Sequence, residues 1–318
     1  MPSTRVHARS PLTVLAAAAA LLATAATATA ATEPLSRPHI AAHFDLAAEQ
    51  QPENITVGGD GSAYLTFSFA RQIVRVAPSG RTRVLAALPA PAKAETPNLG
   101  KAFVGGIARA DDGTLYVTYA TGTADLTGVW ALRPGGHPHR VAALPADGLP
   151  NGLALDQRTG RLYITDSVHG VIYRVPAHGG RAEVWASGAA LEPSTFAGAN
   201  GLKLHNGAVW ATNLDKGTVL RIPVTAHGTA GDIQVRASGI AFIDDFAFTG
   251  RGDTLLAARD DNEVDLVRPD GTHTAVLTAG DGIQTPTSVA VHNGTVYVPS
   301  AAYLTDEDPN LLLAHLDR

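Results

Sequence analysis

The chain has 318 residues and no cysteine, with 24 lysines and arginines against 29 aspartates and glutamates. A net charge of −5 without a basic stripe argues against a nucleic-acid partner, because such proteins need cationic side chains that neutralise phosphates. Without cysteine no disulfide can form, so stability must come from a packed core and from any bound metal. A small neutral or cation-bridged substrate suits this composition better.

The first thirty residues have the features of a targeting segment. Arg5 and Arg9 give a weakly basic start, an alanine-rich apolar run follows, and Ala-Thr-Ala at 28–30 is a small-x-small cleavage pattern. We therefore predict a secretory signal peptide over residues 1–31, a secreted protein and no membrane association after cleavage. An uncleaved N-terminal anchor is the alternative, although the apolar run is short. The mature chain, residues 32–318, keeps 22 basic and 29 acidic residues, a net charge of about −7.

The rest of the chain repeats one pattern six times. Each repeat has a short alternating apolar strand, a turn containing Gly or Asn, and a second β-rich run, and most continue into a third strand. PNGLALDQRTGRLYIT from Pro150 and ANGLKLHNGAVWAT from Ala199 show the pattern. Successive start positions lie 43 to 52 residues apart, the length of a four-stranded propeller blade. These positions are Glu53, Gly105, Asn151, Asn200, Asp244 and Thr287.

Six such repeats predict an all-β fold, a six-bladed β-propeller in a single domain over residues 32–318. The sixth repeat runs out of chain after its third strand, LLLAHL from Leu311, and so lacks an outer strand. Alternating apolar residues just before the first repeat can supply it: Ile40, Ala42, Phe44 and Leu46. We therefore predict a ring closed by an N-terminal strand that completes the last blade. The alternative, an open solenoid, would leave strand edges exposed.

Four of the six start positions carry oxygen ligands suited to a hard cation: Glu53, Asn151, Asn200 and Asp244. The innermost strand of each propeller blade lines the central channel, so these side chains should converge at one face. Calcium takes six to eight oxygen ligands, whereas zinc and copper favour His or Cys, which this set lacks. We predict Ca²⁺ or another divalent cation. Asn before Gly is also a common turn device, but that reading does not explain Glu53 or the shared register.

With these residues in place, the chain resembles the regucalcin/gluconolactonase family of six-bladed propellers (senescence marker protein-like), which is related to diisopropyl fluorophosphatase and the paraoxonases. The resemblance rests on P-E-N at 52–54, P-N-G-L-A from Pro150, A-N-G-L from Ala199 and the acidic pair Asp244-Asp245, and it covers about residues 39–318. It implies that the same four residues hold a catalytic divalent cation. It also implies hydrolysis of a sugar or aliphatic lactone, a related ester or a phosphotriester.

The chemistry of these residues fits that activity. A bound cation polarises the carbonyl, water attacks, and Asp244 is the expected general base or, in a variant, the nucleophile. Because a carboxylate on a dication is a weak base, Asp245 is the substitute if Asp244 is only a ligand. Thr287 and Ser288 are expected to orient the substrate by hydrogen bonding. The chain shows no match to the substrate-binding arginine of sugar lactonases.

Two other classes of function remain open. One is a non-catalytic secreted propeller with a structural metal, since the fold alone guarantees no activity. The other is a metal-independent enzyme of the strictosidine synthase type.

Residues 90–103 are predicted to form a lid or wall of the pocket. The acidic turn at 260–263 and His169 are expected to be solvated. The sequence sets neither the oligomeric state nor the substrate.

Overall fold

The computed structural model describes residues 34–317 together with the first two residues. Apart from those first two residues, the predicted signal peptide over residues 1–31 lies outside the described residues. The chain divides into a unit of residues 1–32 and a unit of residues 33–318, and the second unit contains the folded domain. Its described residues form six four-stranded antiparallel sheets arranged as the blades of a propeller, which confirms the predicted fold class.

The first three blades each use four consecutive strands, from the inner strand at the channel to the outer strand. Blade 1 contains β2 (Pro52–Val57), β3 (Ala63–Phe67), β4 (Gln72–Val76) and β5 (Thr82–Ala87). Blade 2 contains β6 (Phe103–Arg109), β7 (Leu115–Ala120), β8 (Gly128–Leu132) and β9 (His139–Ala143). Blade 3 contains β10 (Pro150–Asp156), β11 (Arg161–Asp166), β12 (Val171–Pro176) and β13 (Glu183–Ser187).

Blades 4 and 5 follow the same order, whereas blade 6 takes its outer strand from the N-terminal side. Blade 4 contains β14 (Ala199–His205), β15 (Ala208–Asn213), β16 (Thr218–Pro223) and β17 (Gln234–Ala237). Blade 5 contains β18 (Ile243–Phe248), β19 (Leu255–Arg259), β20 (Glu263–Val267) and β21 (His273–Thr278). Blade 6 contains β22 (Ala290–His292), β23 (Thr295–Ser300), β24 (Asn310–Leu316) and β1 (Leu35–His43).

The pairing of β1 with β24 closes the ring as predicted. The two strands run antiparallel, from the pair Leu35 and Leu316 to the pair His43 and Asn310. The predicted strand extended too far, because β1 ends at His43. Phe44 is instead a core residue whose ring packs edge-on against Phe67 with centroids 4.8 Å apart.

The hydrophobic core lies between neighbouring blades. β-Branched and aromatic residues alternate along the strands, so each sheet presents an apolar face to the next blade. Trp210, Tyr119, Phe67 and Phe246 are the largest side chains that are fully buried in this way. The inner strands also contact each other in sequence around the ring, including β22 with β2. No helix in the described part of the chain is long and apolar enough to cross a membrane.

Candidate functional site

The four residues predicted to bind a cation line one cavity, at the end of the channel where the inner strands begin. Glu53, Asn151, Asn200 and Asp244 are all buried, and they border a space of about 310 Å³. Each opens the inner strand of a different blade. The repeat register read from the sequence therefore brings these side chains together in space.

Irregular pairing aims these side chains into the channel. In each of the first five blades the pairing between the inner and second strands shifts at the start position, for example between Pro150 and Leu153 in blade 3. Such a bulge bends the strand locally and redirects the side chain that it carries. The start residues of blades 1, 3, 4 and 5 therefore face the cavity and not a neighbouring blade.

The glycines after the two asparagines serve close packing between blades. Asn151-Gly152 and Asn200-Gly201 lie inside β10 and β14, so they are not turns. A Cβ atom on Gly152 would lie 2.3 Å from the carbonyl oxygen of Asn200, and one on Gly201 would lie 2.4 Å from Asp245 Oδ1. Only glycine allows each inner strand to approach the next this closely. The Asn-Gly pairs thus reflect blade packing and not the turn chemistry considered from the sequence.

Threonines on the second strands fix the backbone of the site. Thr66 Oγ1 donates to the carbonyl oxygen of Gly105 at 2.7 Å, and Thr118 Oγ1 donates to that of Asn151 at 2.7 Å. Thr165 and Thr212 make the equivalent bonds to Asn200 and Asp244. Each threonine therefore links its own blade to the start residue of the next blade. These buried bonds hold the start residues in place around the channel.

Direct hydrogen bonds leave the amide oxygen of Asn200 without a partner. Asn200 Nδ2 donates to Asp244 Oδ1 at 2.8 Å. The hydroxyl of Tyr303 donates to Glu53 Oε2 at 2.8 Å and lies 2.5 Å from Ser68 Oγ. Asn200 Oδ1 is buried and has no hydrogen-bond partner. A buried acceptor without a partner costs free energy unless a ligand or water satisfies it.

The buried carboxyl groups strongly affect one another. Burial raises the pKa of Glu53 to about 8, opposed by the Tyr303 hydrogen bond and increased further by the charges of Asp260 and Asp245. Burial and the charges of Asp260 and Glu53 raise the pKa of Asp244 well above its usual value. None of the described residues that line the cavity is Lys, Arg or His. The site therefore gathers buried carboxyl groups with no positive side chain in its wall, and without a cation these groups favour their neutral form.

Asp260 belongs to this group, although the sequence analysis treated its turn as solvated. It lines the cavity directly after β19, and its Oδ1 is buried without a hydrogen-bond partner. Burial and the charge of Asp261 raise its pKa to about 7. Arg259 binds the other acids of the turn, Asp261 and Glu263. The solvated interpretation was therefore wrong for Asp260.

Tyr303 was also missed, because it lies in the connection between β23 and β24, outside every repeated motif. It lines the cavity, and burial raises the pKa of its hydroxyl well above 10, so it stays protonated and can donate to Glu53. Phe69 packs against its ring with centroids 5.5 Å apart. Tyr303 therefore joins the polar floor of the cavity to its apolar wall.

The predicted wall segment, residues 90–103, reaches the cavity. Leu99 and Phe103 line it. Asn98 Nδ2 donates to the carbonyl oxygen of Phe196 at 2.6 Å, which ties this segment to the loop before β14. Asp215 holds the same loop by accepting from the backbone N–H groups of residues 194–197. The mouth of the cavity is therefore built from two connected loops.

Asp245, Thr287 and Ser288 lie apart from the cavity. Asp245 Oδ2 accepts from Asn54 Nδ2 at 2.9 Å, Lys203 Nζ at 2.5 Å and Ser288 Oγ at 2.7 Å. Thr287 Oγ1 donates to the carbonyl oxygen of Pro52 at 2.9 Å. All three residues are buried, and none borders the cavity. In this structure their polar groups serve contacts within the channel wall.

His169 is half-buried and engaged by acids, in contrast to the solvated side chain expected from the sequence. Its Nδ1 lies 3.3 Å from Asp166 Oδ2, and its Nε2 lies 3.4 Å from Asp147 Oδ1. It is not among the residues that line the cavity.

The donor set fits a hard divalent cation. Two carboxyl groups and two amide side chains line one cavity, one amide oxygen has no partner, and burial together with nearby acids raises the pKa values of Glu53 and Asp244. A dication there would be favoured by these buried charges. Among residues 34–317, no three His, Cys, Asp or Glu side chains alone form a metal cluster. A site here would therefore depend on the asparagine oxygens.

No protein-family model and no curated protein matches the chain. Several solved structures match the chain in fold. A gluconolactonase from Xanthomonas campestris superposes with a TM-score of 0.66 at 16% identity, over 90% of this chain and 91% of that one. The calcium-binding protein regucalcin from Agrobacterium tumefaciens gives 0.64 at 17% identity, over 89% and 96%.

The same fold also appears in a different kind of enzyme. Virginiamycin B lyase from Staphylococcus aureus superposes with a TM-score of 0.57 at 13% identity, over 88% of this chain and 99% of that one. At such low identities these likenesses establish the fold. The structural neighbours include six-bladed propellers of the gluconolactonase and regucalcin type, which fits the resemblance seen in the sequence.

Proposed function

We propose that this chain is a hydrolase that depends on a divalent cation, calcium by preference, and that opens a lactone or a related ester. One observation carries the proposal. Four buried oxygen-bearing side chains from four different blades meet in a single cavity whose wall has no basic side chain. The gluconolactonase and regucalcin among the structural neighbours support this choice over other chemistries on the same fold.

Glu53, Asn151, Asn200 and Asp244 would hold the cation. Oxygen-only ligands with two charges suit calcium, and magnesium is less suited because it demands a tighter octahedron. When bound, the cation supplies Lewis-acid polarisation of the substrate carbonyl and stabilises the developing oxyanion. The Tyr303 hydroxyl keeps Glu53 oriented by donating to its Oε2.

The acids that face the cavity can manage the protons of the reaction. Asp244 accepts a proton from the attacking water as the water oxygen bonds to the carbonyl carbon. The ring C–O bond then breaks, the leaving alkoxide takes a proton from Asp260, which also lines the cavity, and the proton that Asp244 accepted returns to Asp260. The net change adds one water and yields a hydroxy acid. Asp245 suits the role of base less well, because Lys203, Asn54 and Ser288 engage its Oδ2.

The test is pH-stat hydrolysis of a panel of lactones and aryl esters, with calcium or with a chelator. Asp244→Asn should lower kcat/KM at least about 1000-fold, because it removes both a cation ligand and the proton acceptor. Asp232→Asn, at an exposed aspartate outside the cavity, is the matched control and should keep full activity. Full turnover by Asp244→Asn, or in chelator, would overturn the proposal.

The rival functions have less support. Virginiamycin B lyase is catalytically inactive when a histidine is replaced by alanine, and none of the described residues lining the present cavity is histidine. A non-catalytic binding propeller with a structural metal would keep calcium-dependent stability and show no turnover on any substrate. A metal-independent enzyme would keep its activity in chelator. The pH-stat panel therefore separates all three.

We also propose that the protein acts outside the cytoplasm on a small molecule and not on nucleic acid. The N-terminal sequence pattern and the mature net charge of about −7 support this. N-terminal sequencing of protein recovered from the growth medium checks it, since export with cleavage would give a chain that begins near residue 32.

A further inference from the structure

The wall of the cavity is apolar, in contrast to its floor. Above the oxygen-bearing residues, three phenylalanines and several leucines border the space. Two of these apolar residues stay solvent-exposed at the mouth, Phe196 at 43% and Leu304 at 68%. Exposed large apolar side chains beside a pocket indicate a surface that a ligand covers. The wall residues are Phe69, Leu99, Phe103, Leu149, Phe196 and Leu304.

Apart from Asp260, whose Oδ1 has no hydrogen-bond partner, the few polar groups above the floor are already engaged. The Tyr303 hydroxyl bonds to Glu53 and Ser68, and Thr285 Oγ1 accepts from the backbone N–H of Leu304 at 3.1 Å. A polyol placed against this wall would leave most of its hydroxyls without partners. Each buried hydroxyl without a partner weakens binding by about tenfold or more.

We propose that the substrate has one polar end, the lactone or ester carbonyl, and an apolar body, an alkyl or aryl substituent that lies against the aromatic wall. This inference rests on the proposed function, and it selects apolar lactones or esters over sugar lactones. The carbonyl faces the floor formed by Glu53, Asn151, Asn200 and Asp244. The substituent extends towards Phe196 and Leu304 at the mouth. A cavity of about 310 Å³ is at the small end for ligand pockets, so the ring is small.

The test compares kcat/KM on three substrates with the same six-membered lactone ring. They are δ-valerolactone, δ-nonalactone, which adds a butyl group, and glucono-δ-lactone. Each buried methylene should raise kcat/KM about fourfold, so δ-nonalactone should exceed the parent at least tenfold. Glucono-δ-lactone should be about 1000-fold poorer than δ-nonalactone. Equal or faster turnover of glucono-δ-lactone would overturn the inference.

Phe196→Ala tests the wall directly. It should lower kcat/KM for δ-nonalactone about tenfold and leave δ-valerolactone within twofold, because only the butyl group reaches this side chain. The loop itself should stay folded, since Asp215 and Asn98 hold it through backbone atoms. Val235→Ala, on the exposed outer strand of blade 4, is the control and should change neither substrate. Equal losses on both lactones would contradict the assignment.

A binding measurement keeps the inference testable if no lactone is hydrolysed. Calorimetric titration with calcium present would compare 2-butylcyclohexanone, cyclohexanone and inositol, none of which can be hydrolysed. The butyl ketone should bind at least tenfold more tightly than cyclohexanone, and Phe196→Ala should remove that advantage. No turnover with this binding pattern would reject the hydrolase and keep the apolar ligand class. Preferred binding of inositol, or no difference between the ketones, would reject the ligand class itself.

Discussion

In the absence of calcium, the stability of this protein should fall as pH rises through neutrality. Burial holds the pKa of Glu53 at about 8 against an ordinary value of 4.5. Between these two pH values the folded chain keeps a proton on Glu53 that the unfolded chain has lost. Stability associated with this proton is fully present below pH 4.5 and is lost as pH rises through 8.

The size of the effect follows from the displacement of the pKa. One pKa unit corresponds to about 1.4 kcal/mol, so a shift from 4.5 to about 8 corresponds to about 5 kcal/mol in the free energy of unfolding. For a domain of this size that amounts to a fall in Tm of about 8 °C. Calcium should reverse the loss above pH 7, because the cation takes the place of the protons.

Urea and thermal unfolding in chelator, at half-unit steps from pH 4.5 to 9, measure this dependence. Glu53→Gln should make the pH profile less steep, because the amide cannot titrate, and the slope that remains belongs to Asp244 and Asp260, whose pKa values are also raised. Glu307→Gln is the matched control, since Glu307 is exposed and lies outside the cavity. The difference between the two variants isolates the buried group from the rest of the protein. A wild-type stability that is constant or rises between pH 5 and 8.5, or a Glu53→Gln profile with the full slope, would refute the reasoning.

Three further outcomes are expected. Tyr303→Phe removes the hydroxyl that donates to Glu53, so the pKa of Glu53 should rise further and half-maximal calcium binding should move to higher pH in calorimetric titrations; an unchanged midpoint would contradict this. Lys203→Met leaves the Asp245 carboxylate buried without its cation, which should cost about 3–5 kcal/mol in urea unfolding, and adding Asp245→Asn should restore most of the loss; additive losses would contradict the ion pair. Deleting residues 34–43 exposes the edge of β24. The shortened chain should lose at least about 10 °C in Tm, and light scattering should show that it aggregates. A monomer of unchanged Tm would rule out the closing role of β1.

The repeat register predicted the fold and the four convergent residues because both depend on position along the inner strands. Glu53, Asn151, Asn200 and Asp244 each occupy the second position of an inner strand. Because the blades share one geometry, residues at the same strand position lie at the same height around the channel axis. No knowledge of loops was needed for this step. The ring closure followed from the missing outer strand of blade 6.

The sequence analysis missed two residues of the cavity, Asp260 and Tyr303. Asp260 follows the second strand of blade 5, and a signal for it did exist. Asp260 is the only acid at its position in the six blades. The matching position in the other five blades holds a small or apolar residue: Ser68, Ala120, Ser167, Leu214 and Ala301. Tyr303 lies in a connection with no counterpart, so only the three-dimensional structure places it on Glu53.

The acidic pair shows a different limit of the sequence. Asp244 and Asp245 are adjacent and chemically identical, yet one faces the cavity and the other is held by Lys203 within the channel wall. The irregular pairing between Ile243 and Phe246 decides which of them faces the cavity. A bulge of one residue cannot be located from alternation alone, because a shift of one position exchanges the two faces.

The pairing of His43 with Asn310 sets an order of events for folding. Blades 1 to 5 are each made from one continuous stretch of chain and can form as that stretch becomes available. Blade 6 cannot be completed until residues from both ends of the domain meet, which is a slow, long-range step. The same connection acts in reverse, because opening the ring requires the first and last strands to separate together. Once the ring has formed, slow unfolding should preserve the protein over time, beyond what its equilibrium stability alone provides.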